Sequence, residues 1–276
     1  MASKACILCD AKPPPALTHE HIWPEWYNQQ QPNFNYELES EVNGAVDVRP
    51  TTSMNLKPKV LCVSCNTKWG SSLEKRIRPI LTPMIRGEPT QLGEDEMQLI
   101  SAWLYLKAMV SEYVAPANAG IRRFHDLAQG RHLRATLRPP AGTLIWIGRY
   151  VGSRAEAAWI TDRKGPRRIS EEPPAGVFWR SVVYTIGQVL LHLFATTRPI
   201  PLGDVEDGHL FEWRVKPAPA EWDTALTRIW QPPGVQVDWP PQKAFDDDAT
   251  VYLVERWNPE KAPSPQSPPE ETEPSS

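Results

Sequence analysis

Four cysteines stand in two pairs, Cys6-x-x-Cys9 and Cys62-x-x-Cys65, with no cysteine left over. A C-x2-C turn aims two sulfurs at one point, so two such turns supply the four thiolates of one tetrahedral zinc. The same count would serve two disulfides or four incidental core thiols. No leading apolar segment with a basic start and a small-residue cleavage site is read, which argues against an oxidising compartment, and zinc is the expectation. A four-thiolate site leaves its metal no open position for a substrate or an activated water. Chemistry must come from beside it, and the stretch Leu17-Thr18-His19-Glu20-His21-Ile22-Trp23-Pro24 lies between the pairs with an acid and two imidazoles.

Glu20-His21-Ile22-x-Pro24, Asn55-Leu56 and Leu61-Cys62-x-x-Cys65-Asn66, continued by Trp69-Gly70-Ser71-Ser72-Leu73-Glu74, resemble the HNH (His-Asn-His) endonuclease family. The branch concerned is the zinc-containing one, in which two C-x-x-C knuckles hold a ββα-metal, treble-clef-like finger, and the likeness covers the first third of the chain. The resemblance implies phosphodiester hydrolysis. That reaction needs a water deprotonated near neutral pH, which suits histidine and makes His21 the expected general base. It also needs a hard divalent cation, Mg²⁺ or Mn²⁺, with oxygen ligands; Glu20 and the side-chain oxygen of Asn66 hold those motif positions. Asn55 takes the place of the middle Asn, which orients the base. Glutamate stands where many relatives have aspartate, and Asn55 lies seven residues before Cys62, farther than in compact members. Ideal strand alternation puts His19 and His21 on one side and Glu20 on the other, so His19 is read as a substitute ligand.

The elements that must position these groups are legible in outline. Lys12-Pro13-Pro14-Pro15 reads as a stiff extended link, and the polar stretch from Tyr27 to Ser53 as an inserted hairpin around Asn43-Gly44. From Cys65 the spacing of Asn66, Trp69, Leu73 and Ile77 predicts a helix that Pro79 ends or kinks. Its outer side carries Lys68, Lys75, Arg76 and Arg78, which with Lys57, Lys59 and Arg86 form a basic run suited to phosphates; Glu74 interrupts it, with ion pairing as the default role and metal ligation as the other. Gly93 to Tyr113 reads as a wide-faced apolar helix with acids in its first turn, and Phe124 to Leu133 as a shorter one holding His125 and His132 as ordinary residues. Beyond Arg134 come short β-like runs: 143–150, 157–160, 178–187, 189–194, 211–215 and 251–254. His192, within one of them, is expected as a core or sheet-face residue. Between Arg122 and Arg168 basic residues outnumber the acids Asp126, Glu156 and Asp162, giving a second candidate surface for nucleic acid.

The expected architecture is α+β: an HNH finger with zinc knuckles over 1–88, a helical connector over 89–133, a mainly antiparallel β domain of unassigned role over 134–257, and a disordered acidic tail over 258–276. The net charge of −3 argues against a uniformly basic nucleic-acid binder, and no apolar run is long enough to cross a membrane. A cytoplasmic, bacterial or phage-encoded nuclease acting on DNA is expected, as a homodimer or by sequential nicks where both strands are cut. The rivals are a non-catalytic zinc module binding DNA or a protein, and an RNA-cleaving effector.

Overall fold

The computed structural model describes residues 5–11, 16–29, 36–42, 45–51, 56–114, 123–153, 158–164, 178–196, 225–230 and 234–256. Asn55, the 12–15 link, the 211–215 run and the 258–276 tail lie outside the described residues, as does part of the 122–168 basic stretch.

Within them the chain is α+β with mainly antiparallel sheets. A two-stranded ribbon pairs β1 (Leu17–His19) with β4 (Lys59–Cys62), Leu17 opposite Cys62. Between these strands lie a single helical turn, α1 (Glu25–Asn28), and the expected hairpin, β2 (Tyr36–Val42) with β3 (Ala45–Thr51), whose register pairs Val42 with Ala45 on either side of Asn43-Gly44. From the second knuckle the chain enters a π-helical segment (Cys65–Gly70) that runs on as α2 (Ser71–Ile85). Contrary to one reading of Pro79, the helix does not stop there: Pro79 and Pro83 both lie inside it. Pro79 is exposed and the two are four apart, so they fall on the side away from the buried stripe Leu73, Ile77, Leu81 and Met84, where water can satisfy the carbonyls they leave unbonded.

After β5 (Thr90–Leu92), helix α3 (Glu94–Ser111) is capped by the Glu96 side chain, which accepts the Gly93 N–H at 3.0 Å. From Leu99 to Ser111 every residue of α3 is buried, Ser101, Lys107 and Ser111 included, so burial extends beyond the wide apolar side. On one side it meets α2, and on the other a six-stranded sheet of β10 (Leu226–Trp230), β6 (Thr143–Tyr150), β9 (Val189–Thr196), β8 (Phe178–Ile186) and β7 (Ala158–Lys164), with β12 (Ala244–Phe245) joining β6 in parallel. One hydrophobic core runs from the cysteine knuckles through α2 and α3 into the sheet, and β11 (Val237–Trp239) returns to pair with β5.

The run 251–254, expected as a strand, is helical: it belongs to α5 (Asp247–Arg256). Asp246 accepts the Ala249 N–H at 2.8 Å, Asp247 and Asp248 add negative charge to the first turn, and Thr250 and Leu253 turn inward at helical spacing. Three consecutive acids at the start outweighed four residues of β-prone sequence.

Helix α4 (Leu127–Thr136), capped reciprocally by Asp126 and Gln129, lies on the first knuckle. Gly130 permits this, because a Cβ there would stand 1.8 Å from the Ile7 carbonyl oxygen. Gly130→Ala should therefore destabilise the protein by roughly 1–3 kcal/mol through forced displacement, although alanine is the better helix former by about 1 kcal/mol. Urea midpoints of the two proteins check the sign.

Candidate metal centre and the motif around His21

The first knuckle is tied to β4 by the Ile7 N–H bonding to Val60 O at 3.1 Å, which brings Cys6 and Cys9 to Cys62 at the strand end and Cys65 one turn later. All four sulfurs lie within 4.8 Å of one another, and each cysteine is at most 7% exposed. Cys9 Sγ and Cys62 Sγ are 3.7 Å apart. A tetrahedron with Zn–S bonds of about 2.3 Å has edges of about 3.8 Å, whereas a disulfide requires about 2.05 Å. The four thiols are free, and their arrangement can hold a metal such as zinc. Burial pushes the Cys6 and Cys65 thiols up. Burial opposes ionisation of Cys62 too, yet the Cys65 N–H at 3.4 Å and the neighbouring thiols bring it down.

Beside this centre, β1 ends with a register shift between Thr18 and His19, and the chain continues with the Glu20 N–H on Pro58 O at 3.1 Å and the Ile22 N–H on Leu56 O at 3.0 Å. Glu20 turns inward and is buried; His21 is half-buried; His19 is exposed. Asn66, in the first turn of the π segment, donates from Nδ2 to Thr18 Oγ1 at 2.9 Å and to His19 O at 2.7 Å. The helix is thus fastened to the backbone one peptide before Glu20. Among the described residues nothing bonds to Glu20 Oε2, to the His21 ring or to Asn66 Oδ1, and none of these atoms is sealed from solvent. His21 is held below its usual pKa by burial first, with Lys107 and Lys57 acting in the same sense and Glu25 and Glu20 opposing.

The sheet grips this motif as well. Trp23 stacks on Tyr184 with ring centroids 5.6 Å apart, Trp23 Nε1 donates to Thr185 O at 3.2 Å, and the Tyr184 hydroxyl donates to Ile22 O at 3.1 Å. The β8–β9 turn meets the end of α2: Gly187, at φ 54°, passes where a Cβ would stand 2.6 Å from Ile85 O, and the Gln188 N–H bonds to that oxygen at 3.0 Å.

Two buried charge clusters are built on α3 and the residue after it, the first of them against the motif, and neither was assembled from sequence. Lys107, from the middle of α3, donates to Glu20 Oε1 at 2.7 Å and to His21 O at 2.8 Å and pairs with Glu74 Oε1 at 2.9 Å. Glu74 also accepts Trp26 Nε1 at 2.7 Å and Trp103 Nε1 at 3.0 Å, so both of its oxygens are engaged and its partner lies elsewhere in the chain rather than along its own helix. The second cluster joins Glu112 to His125 Nδ1 and to the Arg180 guanidinium. Burial opposes the Glu74 and Glu112 carboxylates, yet Lys107 in the first case and His125 with Arg180 in the second hold both below the usual value of 4.5. Lys107 is pushed up to about 12: burial lowers it, but Glu20 and Glu74 more than compensate.

These shifts fix a stability window. A depressed carboxylate contributes fully above its unfolded pKa of 4.5 and loses that contribution as pH falls through the folded value. A raised lysine contributes fully below 10.5 and loses it as pH rises towards about 12. Through these groups urea midpoints should fall as pH drops below 4.5 and again as it rises above 10.5, and Glu112→Gln should make the acid limb shallower, with Glu74 supplying the rest.

On the outer side of the helix, Lys68, Lys75, Arg76, Arg78 and Arg86 are exposed, Arg78 lying 5.8 Å over the Trp26 ring, and Lys57 and Lys59 are exposed nearby on the chain. His192 is a buried sheet residue, bonded to Ser181 Oγ at 2.9 Å and stacked on Trp146. Among the described residues no helix is long and apolar enough to cross a membrane. Comparison with protein-family models, with curated proteins and with solved structures gave no match to this chain.

Proposed function

We propose that this protein is a metal-dependent endonuclease of the HNH type that hydrolyses phosphodiester bonds in DNA. The observation that carries this reading is the trio of unbonded atoms, Glu20 Oε2, the His21 ring and Asn66 Oδ1, on segments tied to each other beside a buried four-sulfur centre. The four cysteines bind zinc as a closed, structural site, which leaves catalysis to the neighbouring residues. Glu20 and Asn66 offer the oxygen ligands a hard cation prefers, and Mg²⁺ or Mn²⁺ bound by them would polarise the scissile phosphate and stabilise the leaving oxygen.

The work of the chain itself is positional and acid–base. His21, whose burial lowers its pKa and so favours the neutral imidazole, accepts a proton from the attacking water. By its place in the motif, Asn55 orients the imidazole. The exposed cations of the basic helix hold the phosphate backbone on either side, a sequence-independent contact that supplies most non-specific affinity. With one such centre per chain, each encounter makes a nick; a double-strand cut takes two chains or two events.

Zinc-loaded protein incubated with supercoiled plasmid in Mg²⁺ or Mn²⁺ is expected to yield open circles and to be inert in EDTA. Absence of nicking in either ion would leave a non-catalytic zinc module, and cleavage confined to a parallel RNA substrate would reassign the target backbone.

A further inference from the structure

Lys107 has no counterpart in the motif, yet it is the buried charge against which the motif is built. It leaves α3 where all neighbouring positions are buried, and is itself 1% exposed. An ammonium has three N–H donors, and three acceptors surround this one: Glu20 Oε1, His21 O and Glu74 Oε1. The Trp103 ring lies 5.6 Å from Nζ. Glu74 is held in turn by two indoles, one on each carboxylate oxygen. Buried ion clusters are often replaceable by apolar side chains without loss of stability, so stability alone does not account for this one. Its geometric effect is specific: of the two Glu20 oxygens, one is fixed from behind and one is left open, and the His21 peptide is fixed by the same atom.

We propose that Lys107 is the positioning residue of this site: its ammonium holds Glu20 so that a single carboxylate oxygen faces a divalent cation, and pins the His21 carbonyl so that the imidazole stays beside it. The proposal rests on the nuclease reading for the presence of that cation. Lysine acts here through Glu20 and the backbone, without touching substrate.

The test titrates Mn²⁺ into the zinc-loaded full-length chain, follows binding by EPR, and measures plasmid nicking in parallel. Lys107→Met alone would bury two uncompensated carboxylates, so the decisive variant is Lys107→Met with Glu74→Gln. It keeps the wild-type cluster's net charge, one ammonium and two carboxylates becoming one carboxylate, so wild type is its charge-matched comparator, and Glu74→Gln alone isolates the loss of Glu74. Wild type should take up one Mn²⁺, and Glu20→Gln should lose it. The double variant, with its zinc and thermal melt retained, should bind Mn²⁺ about 10- to 100-fold more weakly and nick more slowly by a similar factor, as when groups that orient metal ligands are removed. Its affinity for DNA should equal that of wild type. Mn²⁺ uptake and nicking equal to wild type would make Lys107 a mere counter-charge and overturn the proposal, as would loss of zinc from the double variant or absence of Mn²⁺ uptake by wild type. Lys107-dependent uptake without any cleavage would sustain the positioning role and sink the nuclease reading instead.

Discussion

Cys62→Ser with Cys65→Ser should leave a chain that binds no zinc and melts without a cooperative transition. The second knuckle is at once the end of β4, the entry to the π segment and a buried part of the core, with Val60 and Leu61 beside it. A structural zinc contributes about 10–16 kcal/mol of apparent binding free energy in small fingers, against a net stability of about 5–15 kcal/mol for a whole domain. No compensation of that size is available from the two-stranded β1–β4 ribbon, which has only seven residues. Because α4 and the start of α2 rest on the same knuckles, the loss should spread beyond the finger. Metal analysis by mass spectrometry and a circular-dichroism melt read both effects, and chelation of the wild type should reproduce them.

His21→Ala should behave in the opposite way, with stability kept and cleavage lost. The imidazole is half-buried and makes no hydrogen bond among the described residues, so its removal should change stability by about 0.5 kcal/mol or less, as at sites without special contacts. The bond that does involve this residue, from Lys107, goes to its carbonyl and survives the substitution. General-base removal typically costs 10²–10⁴-fold, roughly, and the nicking rate should fall by that factor with zinc content, melting temperature and plasmid affinity unchanged. Equal nicking by the two proteins would assign the activity to another group or to a contaminant.

The parts of this site that were legible in the sequence are those set by local chemistry. A two-residue spacing between thiols is a statement about one turn, and two such turns converge once a strand pair joins them. Helix α3 declared itself because a wide apolar side, with acids at the start, suits a helix packed between other elements. What sequence could not supply were partners chosen by packing. Lys107 and Glu20 are separated by 87 positions and Arg180 and Glu112 by 68; nothing in the local pattern of either pair announces the other. The nearest clue was a lone lysine in the middle of an otherwise apolar helix, since a charge buried there must find an opposite one. Residues 251–254 went wrong for a related reason: their β-propensity is weak context, and the acids before them favour the start of α5. Pro79 was judged by its usual effect in a helix interior, which an exposed face partly relieves.

The pairing of motif and sheet also gives the C-terminal strands a part in the site. Tyr184 and Thr185 of β8 hold Ile22 and Trp23 directly after His21, while the hairpin turn braces the end of the helix that begins at the knuckle. The residues after His21 and the far end of that helix are therefore both set by elements remote in sequence.

The most direct measurement is anomalous diffraction from crystals grown with zinc and soaked in Mn²⁺, with data collected at the zinc and manganese edges. The account requires a zinc peak among Cys6, Cys9, Cys62 and Cys65 and a separate manganese peak bound by Glu20 Oε2 and Asn66 Oδ1 beside the His21 ring. Zinc among the sulfurs with no manganese at Glu20 and Asn66, or no metal among the sulfurs, would contradict it.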